Sequence, residues 1–562
     1  MSADGPLKVV LCWHMHQPQY RNEATGQYEL PWTYLHGIKD YVDMAAIIAA
    51  VPGARAVVNF APILLEQIDD YARQVQAFLD HGEAIRDPLL GALAAPVMPA
   101  APEARAQLVA ACLKVNRDTV VARFPAYRRL AGIADQLLAH PDLAEYIADQ
   151  FLVDLLVWYH LAWLGETVRR RDGRVQALMD KGGRYTLHER RQLLAIVGEL
   201  MAGIIPTYRR LWEAGQVELS FTPYAHPIAP LLLDFASARE AMPDVHLPAH
   251  PAYPGGEARA RWHLEEGLRV FERYFGRRPV GCWPAEGGVS EAFLPLAQAA
   301  GVRWLASGER VLRNSLARQE APEGDHCIHR PYRRDGHDLH LFFRDDGLSD
   351  LIGFSYAKWS AEDAVADLVG HLENIAAHCP ERDRSVVPII LDGENAWEYY
   401  PENGYPFLTH LYERLASHPH LELTTFADCL AMPARPLAHL VAGSWVYGTF
   451  STWIGDEDKN RGWDLLCEAK LAYDRAAPNL EGEQARRAER QLAYCEGSDW
   501  FWWFGDYNPA QSVSDFERLY RTHLTNLYHM IGEEPPESLA QVISQGGGAP
   551  AAGGVMRPGG AQ

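Results

Sequence analysis

The chain has 562 residues, enough for two or more domains with substantial cores, and its hydrophobic fraction of 48% and charged fraction of 22% are ordinary for a globular protein. The formal net charge of −21 argues against nucleic acid or an anionic membrane as a partner, because general repulsion would oppose the approach. No apolar run approaches the roughly 18–20 residues that span a bilayer, and the start "MSADGPLKVVLCW" lacks the basic and apolar segments of a signal peptide.

Two strands are predicted near the start of the chain, one over residues 7–13 and one in "ARAVVNF", which ends at Phe60. Residues from about 64 to 214 are rich in Ala, Leu, Arg and Glu, which predicts a large helical insertion without evident chemistry. Strand character returns in "QVELSFTPYAHPIAPLL", residues 216–232, and this segment then loops out through His226 and several prolines.

Two helix–strand pairs follow. In "LEEGLRVFERYFG" the apolar residues fall on one helical face, Gly276 occupies the C-terminal cap position, and the chain then enters "PVGCWPAEGG". In "SAEDAVADLVGHLENIAAH" Ser360 begins a capping box, and the helix leads into "VVPIIL" and Asp392. This alternation predicts a parallel sheet covered by helices, in which ligand sites lie at the carboxyl ends of the strands.

The last third of the chain reads as helical. From about residue 405 helices dominate, interrupted by "GSWVYGTFSTWIGDED" and "SDWFWWFGDYN". We therefore predict a catalytic domain over residues 1–404 and a helical C-terminal domain over residues 405–540. Residues 541–562 end in "QGGGAPAAGGVMRPGGAQ", and this Gly/Ala/Pro-rich composition predicts a disordered tail.

The histidine pair in "CWHMHQPQY" is the first candidate for chemistry. His14 and His16 point to the same side if the strand continues, because side chains alternate along a strand. Such a pair at a strand end could bind a metal, donate hydrogen bonds to a hydroxylated ligand, or merely pack in the core. The residues alone leave these three interpretations open.

Carboxylates at strand ends form the second candidate group. Glu218 in "VELSFTPYAHP" is a weak signal, and Glu286 in "GCWPAEGGVS" follows a strand end but could equally be a solvated loop residue. Asp392 and Glu394 end a buried apolar strand, where an unpartnered carboxylate would cost several kcal/mol. Two carboxylates on separate strand ends suit glycosidic cleavage, in which one is ionised at the anomeric carbon and the other protonates the leaving oxygen. We find no Walker-type loop and no dinucleotide-binding glycine motif.

Five motifs occur in a fixed order: "HMHQP", "VELSFTPYAHPIAPLL", "GCWPAEGGVS", "ILDGENAWEYY" and "STWIGDEDKNRGWDLL". They resemble the five signature regions of glycoside hydrolase family 57, over about residues 7 to 535, and look most like its amylopullulanase-type branch. The resemblance implies an α/β fold, namely an incomplete (β/α)7 barrel with helical insertions, followed by an all-α C-terminal domain that contributes to the active-site cleft. It also implies a retaining mechanism on α-glucan oligosaccharides or polysaccharides.

Carried over by motif, the resemblance implies that Glu286 is the nucleophile and Asp392 the general acid and base. It implies that the substrate is bound by His14, His16, Glu218, His226, Trp283, Trp397, Trp453 and Asp458. Neither a metal nor a cofactor is implied. The eight cysteines are scattered without a CxxC pair, which favours reduced thiols and predicts a cytoplasmic protein.

The predicted function is hydrolysis of α-1,4 glucan linkages, with α-1,6 linkages as a further option. The alternative is a 4-α-glucanotransferase or glucan branching enzyme with the same site, because loop shapes decide how acceptor sugars compete with water. Two remoter alternatives are a metal-dependent hydrolase or deacetylase that uses His14 and His16, and an inactive glucan-binding protein.

Overall fold

The computed structural model describes residues 5–319, 327–379 and 381–548. The strands of its sheet are β1 (Leu7–Met15), β2 (Ala56–Phe60), β3 (Val217–Phe221), β4 (Gly281–Cys282), β5 (Trp304–Gly308), β6 (Tyr332–Arg334), β7 (His340–Arg344), β8 (Val386–Asp392), β9 (Leu421–Leu423) and β10 (Arg435–Leu437).

Seven strands form a parallel barrel in the spatial order β7-β5-β4-β3-β2-β1-β8. The two ends of this path meet where the backbone N–H of Asp345, just after β7, donates to Pro388 O of β8 at 2.8 Å. Three short strands lie outside the ring: β9 pairs with β1, β6 with β7, and β10 with β6. The predicted α/β class with a parallel sheet is therefore confirmed.

Helices cover the outside of the barrel and form the rest of the chain. Up to the last strand they are α1 (Trp32–His36), α2 (Val42–Ala50), α3 (Pro62–His81), α4 (Pro88–Ala94), α5 (Pro102–Ala111), α6 (Pro125–Ala139), α7 (Asp149–Trp163), α8 (Glu166–Arg171), α9 (Gly173–Lys181), α10 (Leu187–Glu213), α11 (Ala229–Leu233), α12 (Gly256–Phe275), α13 (Phe293–Ala299), α14 (Glu309–Ala317), α15 (Asp346–Asp350), α16 (Ala361–His378), α17 (Tyr405–Ala416) and α18 (Phe426–Cys429). The C-terminal region contains α19 (Glu457–Ala476), α20 (Gly482–Cys495), α21 (Asp499–Trp503) and α22 (Ala510–Met530). No helix among the described residues is long and apolar enough to cross a membrane.

Local signals in the sequence account for where several helices begin and end. The helix α12 ends at Gly276, whose left-handed φ of 80° suits a residue without a Cβ atom. The hydroxyl of Ser360 accepts the backbone N–H of Asp363 at 3.1 Å and so caps α16. Between β2 and β3 the helices α3–α10 replace a single crossover helix, and α10 begins at a capping box formed by Thr186 and Glu189.

The barrel interior is filled from its amino-terminal end by aromatic rings. Phe426 at the start of α18 packs on Trp304 of β5 and on Phe342 of β7, with both pairs of ring centroids 4.6 Å apart. Val10 and Cys12 of β1 belong to the same buried cluster. The closed end leaves the carboxyl end of the strands as the place for a site.

A buried ionic group joins the C-terminal helices to the barrel. Glu496, just after α20, accepts three hydrogen bonds from Arg259 of α12, one from His263 at 2.7 Å and one from Tyr253 at 2.6 Å. Burial opposes ionisation of Glu496, but the charge of Arg259 and the hydrogen bond from His263 outweigh it and lower the pKa of Glu496 to about 2. This contact fixes the chain immediately before residues 498 and 499.

Replacing Glu496 with glutamine is expected to lower the free energy of unfolding by about 3–5 kcal/mol, because Arg259 becomes an uncompensated buried charge. The native carboxylate has a pKa of about 2 against an ordinary value of 4.5, so its contribution is present above about pH 4.5 and is lost as the pH falls toward 2. Urea unfolding followed by tryptophan fluorescence measures both effects. Glu483→Gln, in a pair with Arg486 in which both side chains are about 70% exposed, is the control and should change stability by less than about 0.5 kcal/mol.

The predicted C-terminal tail is only partly within the described residues. Ile543 and Ser544 are buried, and the hydroxyl of Ser544 accepts the backbone N–H of Gly505 at 2.9 Å. The glycines that follow bond to Asn508 O through their N–H groups. The predicted disorder of residues 549–562 concerns a segment outside the described residues.

Candidate active site

Strand alternation places the first site residues on the inner face of the barrel. Val10 and Cys12 of β1 point into the buried interior, so His14 lies on the same face at the carboxyl end of the strand. Ile390 of β8 is likewise interior, which places Asp392 on that face. His14 and Asp392 are also paired in register across β1 and β8. Two residues far apart in sequence therefore share one layer of the barrel.

Glu286 reaches the same end of the barrel from a short 3₁₀ turn after β4. Its backbone has φ 57° and ψ 22°, a left-handed conformation that costs a residue with a side chain on the order of 1–2 kcal/mol. The carboxyl accepts a hydrogen bond from Ser498 Oγ at 2.9 Å and another from Trp445 Nε1 at 3.1 Å. Both donors come from the C-terminal part of the chain, which therefore completes the surroundings of Glu286.

Three histidines form one side of the site. The Nε2 atoms of His14 and His226 lie 3.0 Å apart, and His14 Nδ1 contacts the Asn59 side chain at 2.7 Å. The ring of His16 stacks on that of His226 with centroids 3.8 Å apart, and His16 Nε2 bonds to Asp499 at 2.9 Å. Burial lowers the pKa of His14 to about 3 and that of His226 well below its ordinary value, so both are neutral imidazoles.

The metal-binding interpretation of the histidine pair is not supported by this arrangement. Both nitrogens of His14 are engaged, one by Asn59 and one by His226. Among the described residues, the group of potential ligands whose donor atoms lie within 4.8 Å of one another is His16, His226 and Asp499. His226 is bonded to His14 and Ser498 through its two nitrogens and Asp499 is bonded to His16 Nε2, while His16 Nδ1 is buried without a hydrogen-bond partner among the described residues.

Burial also governs the ionisation of the carboxyls. Burial raises the pKa of Glu286 to about 8, and the charges of Asp499 and Asp392 act in the same direction. Burial raises the pKa of Asp392 to about 6, although a hydrogen bond from Asn395 at 2.8 Å stabilises its ionised form. Because Glu286 and Asp392 interact, they titrate as a coupled pair, and the site retains a proton near neutral pH. One proton held by two carboxyls is what a site requires when one carboxyl acts as an acid and the other as a base.

These residues line one cavity with about 880 Å³ of empty space, which we call the catalytic cavity. Aromatic residues and carboxyls alternate on its walls, as expected for a site that binds a ring with hydroxyl groups at its edge. Its lining residues are His14, His16, Gln17, Pro18, Tyr20, His226, Glu286, Arg344, Phe354, Leu391, Asp392, Glu394, Asn395, Trp445, Val446, Asp499, Trp502, Trp503 and Phe516.

A second cavity, which we call the side groove, has about 980 Å³ of empty space and opens beside the first. Gln17, Tyr20, Glu394, Asn395, Trp503 and Phe516 line both cavities, so the two are adjacent. Its far wall comes from α1 and the helical insertion, through Trp32 and Trp163 among others. An ion pair of 2.9 Å between Lys114 of the insertion and Asp515 of α22 joins its two sides.

Of the residues predicted for the site, five line the catalytic cavity: His14, His16, His226, Glu286 and Asp392. Trp283 lies behind them, fully buried, with its ring centroid 6.4 Å from that of His14 and 5.2 Å from that of Trp445. Trp283 therefore supports the lining residues and does not itself form the wall.

The other predicted aromatic walls and Asp458 lie away from the catalytic cavity. Trp397 is buried and donates its Nε1–H to Gly393 O at 2.8 Å. Trp453 is buried behind Trp502, with ring centroids 5.9 Å apart. Asp458 lies in the first turn of α19, where its backbone N–H donates to Asp456. Trp445, Trp502 and Trp503 form the aromatic walls instead.

Glu218 faces the barrel interior but lies one layer too low for the catalytic cavity. Its register partner is Val57, whereas the partner of His14 is Asn59, two residues further along the same strand. Glu218 accepts hydrogen bonds from Trp304 Nε1 and from the backbone N–H of Ala427, both at 2.8 Å. The structure thus places Glu218 against the aromatic plug at the closed end, and not in a donor subsite.

Three residues that line the catalytic cavity, Arg344, Trp445 and Asp499, were not singled out from the sequence, and neither was Ser498, which bonds to Glu286. Arg344 ends β7 and donates to Asp346 and Asp350 at 2.8 and 2.7 Å. Trp445, Ser498 and Asp499 lie in the two aromatic segments that interrupt the C-terminal helices. An acid next to a run of aromatic residues in an otherwise helical region was the available signal.

The chain was compared with protein families and with solved structures. The sequence model of glycosyl hydrolase family 57 matches residues 10–435. A family 57 branching enzyme from Thermococcus kodakaraensis superposes with a TM-score of 0.55 at 15% identity, covering 95% of this chain and 93% of that one. The α-amylase AmyC from Thermotoga maritima gives a TM-score of 0.55 at 13% identity, with 95% of each chain covered. The 4-α-glucanotransferase from Thermococcus litoralis gives 0.51 at 13% identity, covering 93% of this chain and 60% of that one. These similarities concern the fold.

Proposed function

Because the chain belongs to glycosyl hydrolase family 57, we propose that it cleaves α-glucosidic bonds with retention of anomeric configuration, using Glu286 and Asp392. The observation that carries this proposal is that both carboxyls line one cavity between aromatic walls. Incubation with maltooligosaccharides, amylose and pullulan, with products resolved by size and linkage, tests it. Absence of any product would overturn the assignment.

In the first step Glu286 attacks the anomeric carbon and forms a covalent glycosyl–enzyme bond, while the bond to the leaving oxygen breaks. Asp392 donates its proton to that oxygen, so the leaving chain departs as a neutral hydroxyl compound. The raised pKa of Asp392, about 6 because of burial, keeps a protonated fraction available near neutral pH. Asn395 donates to Asp392 and orients it.

In the second step Asp392, now ionised, removes a proton from the acceptor hydroxyl, which attacks the anomeric carbon and displaces Glu286. Water as acceptor gives hydrolysis, and a sugar hydroxyl gives transfer. His16, held by Asp499, lies on the cavity wall where it can donate to a substrate hydroxyl. The same two side chains therefore serve either outcome.

The side groove favours a sugar as the acceptor. It adjoins the catalytic cavity and shares lining residues with it, and it is lined by Trp32, Trp163 and Trp503 together with polar groups. A second glucan chain in this groove would bring its hydroxyl group to the catalytic cavity in competition with water. We therefore place 4-α-glucanotransfer or branching first, and amylase-type hydrolysis, the main expectation from sequence, second.

Replacing Trp32 with alanine is expected to lower the ratio of transfer to hydrolysis on the order of 10-fold, because loss of a large aromatic contact is worth about 1–2 kcal/mol. Trp32 is partly buried and its ring lies 6.1 Å from that of Trp163. The ratio is measured from longer and shorter products formed from one maltooligosaccharide of defined length.

Trp32→Phe retains a ring in the groove and should keep most of the wild-type ratio. Trp359→Ala, which removes a tryptophan that is 45% exposed elsewhere on the surface, is the matched control and should leave the ratio unchanged. An unaltered product ratio in Trp32→Ala would show that the side groove does not hold the acceptor.

A further inference from the structure

A continuous series of hydrogen-bonded contacts links the backbone of Trp283 to the carboxyl of Glu286, and we call it the relay. In order, it joins Trp283 O to Thr222 Oγ1 (2.8 Å), Thr222 Oγ1 to the Asn59 amide (2.9 Å), that amide to His14 Nδ1 (2.7 Å), His14 Nε2 to His226 Nε2 (3.0 Å), His226 Nδ1 to Ser498 Oγ (2.8 Å) and Ser498 Oγ to Glu286 Oε1 (2.9 Å). Every side chain between the two ends is at most 4% exposed. Solvent water therefore does not compete for the hydrogen bonds between these side chains.

The relay has a direction because each contact contains one proton. The Trp283 carbonyl only accepts, so the single hydroxyl proton of Thr222 goes to it, and Thr222 Oγ1 is best satisfied as an acceptor from Asn59. In the structure Asn59 Oδ1 faces Thr222 and His14, and a 180° rotation of the amide brings Nδ2 to the same place. Asn59 then donates to Thr222 and His14, while the Ser220 hydroxyl, 3.0 Å away on the other side, donates to Oδ1.

The orientation of the Asn59 amide determines the protons as far as Glu286. When Asn59 donates to His14 Nδ1, the one proton of neutral His14 is on Nε2 and is donated to His226. The proton of His226 is then on Nδ1 and is donated to Ser498, whose own proton goes to Glu286 Oε1. Glu286 Oε1 accepts that proton, and it does so more strongly as a carboxylate than as a carboxylic acid. Both imidazoles must be neutral, which agrees with their buried position.

The opposite orientation requires a protonated Glu286. With Asn59 Oδ1 facing His14, the proton of His14 is on Nδ1, and each later member donates back toward Asn59. Ser498 then donates to His226, and Glu286 must donate to Ser498 as a carboxylic acid. A protonated Glu286 does not attack an anomeric carbon. Burial raises the pKa of Glu286 to about 8, so this unproductive state competes near neutral pH.

We infer that Ser498 is a positioning residue for Glu286, the member of the relay that presents a donor to the carboxylate and so favours the ionised form needed for attack. This inference rests on the role of Glu286 proposed above. The hydroxyl of Ser498 bonds to His226 and Glu286, while its backbone N–H donates to His226 O at 2.9 Å and would be retained in an alanine variant. Trp445 Nε1 donates to the second oxygen of Glu286 and holds its plane.

Ser498→Ala is expected to lower kcat/KM by about 10- to 100-fold, because one hydrogen bond to a charged group is lost. The same loss should raise the pKa of Glu286 by about one unit. Because that pKa, about 8, lies above the pKa of Asp392, about 6, the change should appear as an upward shift of the basic limb of the pH profile by about one pH unit. The other titratable groups that face Glu286 are Asp499, Asp392 and His226, and all three are kept in the variant. A residue with a merely structural role would not move this limb.

Ser498→Thr keeps the hydroxyl and should restore the position of the basic limb. Ser315→Ala removes a buried hydroxyl from α14, where it bonds to Val311 O and to the N–H of Val441, and should leave the pH profile unchanged. If Ser498→Ala has the basic limb of the wild type while Glu286→Gln, assayed separately, is inactive, the relay alone would be overturned. Activity in Glu286→Gln would instead overturn the proposed function.

Discussion

Replacing Glu286 with glutamine is expected to lower kcat on maltooligosaccharides by at least about 10³-fold, because the amide does not form the covalent intermediate. Glutamine has nearly the volume of glutamate, and the side chain makes its two hydrogen bonds, to Ser498 and Trp445, at the cavity wall. The variant should therefore fold as the wild type does. Initial rates and a thermal melt measure the two expectations. Glu272→Gln, on the exposed side of α12 in a pair with Arg278, is the matched control and should be fully active.

Azide distinguishes a nucleophile from a residue that merely supports catalysis. In Glu286→Ala the small anion enters the space left by the carboxyl, attacks the anomeric carbon directly and displaces the leaving oxygen in one step. The product should be a β-glycosyl azide from an α-glucan, with inverted configuration. Near-normal turnover in Glu286→Gln, or an α-azide from Glu286→Ala, would assign the nucleophile to another residue.

The end of the barrel that contains the candidate site could be predicted from local patterns. Apolar strands that end in polar residues predicted a site at the carboxyl ends, and side-chain alternation predicted that His14 and His16 point to the same side. The layer occupied by each residue depends on strand register, which the sequence of a single strand does not contain. Glu218 illustrates this, because its side chain faces the barrel interior but lies one layer below Asn59.

The contribution of the C-terminal region could not be predicted residue by residue. Asp499 bonds to His16 across 483 positions, and Ser498 bonds to Glu286 across 212. These contacts depend on how helices dock on the barrel, and the buried Glu496 with Arg259 contributes to that docking without any local sequence signature. The sequence shows that "SDWFWWFGDYN" is rich in aromatic residues, but it does not show which of these rings face the cavity.

Replacing Asp392 with alanine is expected to lower kcat/KM on maltooligosaccharides by at least about 10²-fold, the typical contribution of a general acid. An activated aryl glycoside should be affected far less in the first step, because its phenolate leaves without a proton. The variant should then accumulate the glycosyl–enzyme, since no base activates water. A burst of released phenol followed by slow turnover measures this difference.

The pH dependence and azide give opposite signatures for the two carboxyls. Asp392 must be protonated and Glu286 ionised in the first step, and the pKa of Asp392, about 6, lies below that of Glu286, about 8. Wild-type kcat/KM should therefore level off between these values and fall at higher pH, and this basic limb should vanish in Asp392→Ala with the aryl glycoside. Azide should attack the accumulated glycosyl–enzyme and give an α-glycosyl azide, with retention. Asp335→Ala, at an exposed turn after β6, is the control. Equal slowing of both substrates in Asp392→Ala, with no effect of azide on either rate, would assign proton transfer at the leaving oxygen to a different group. Asp499, also in the catalytic cavity, would then be the next residue to test.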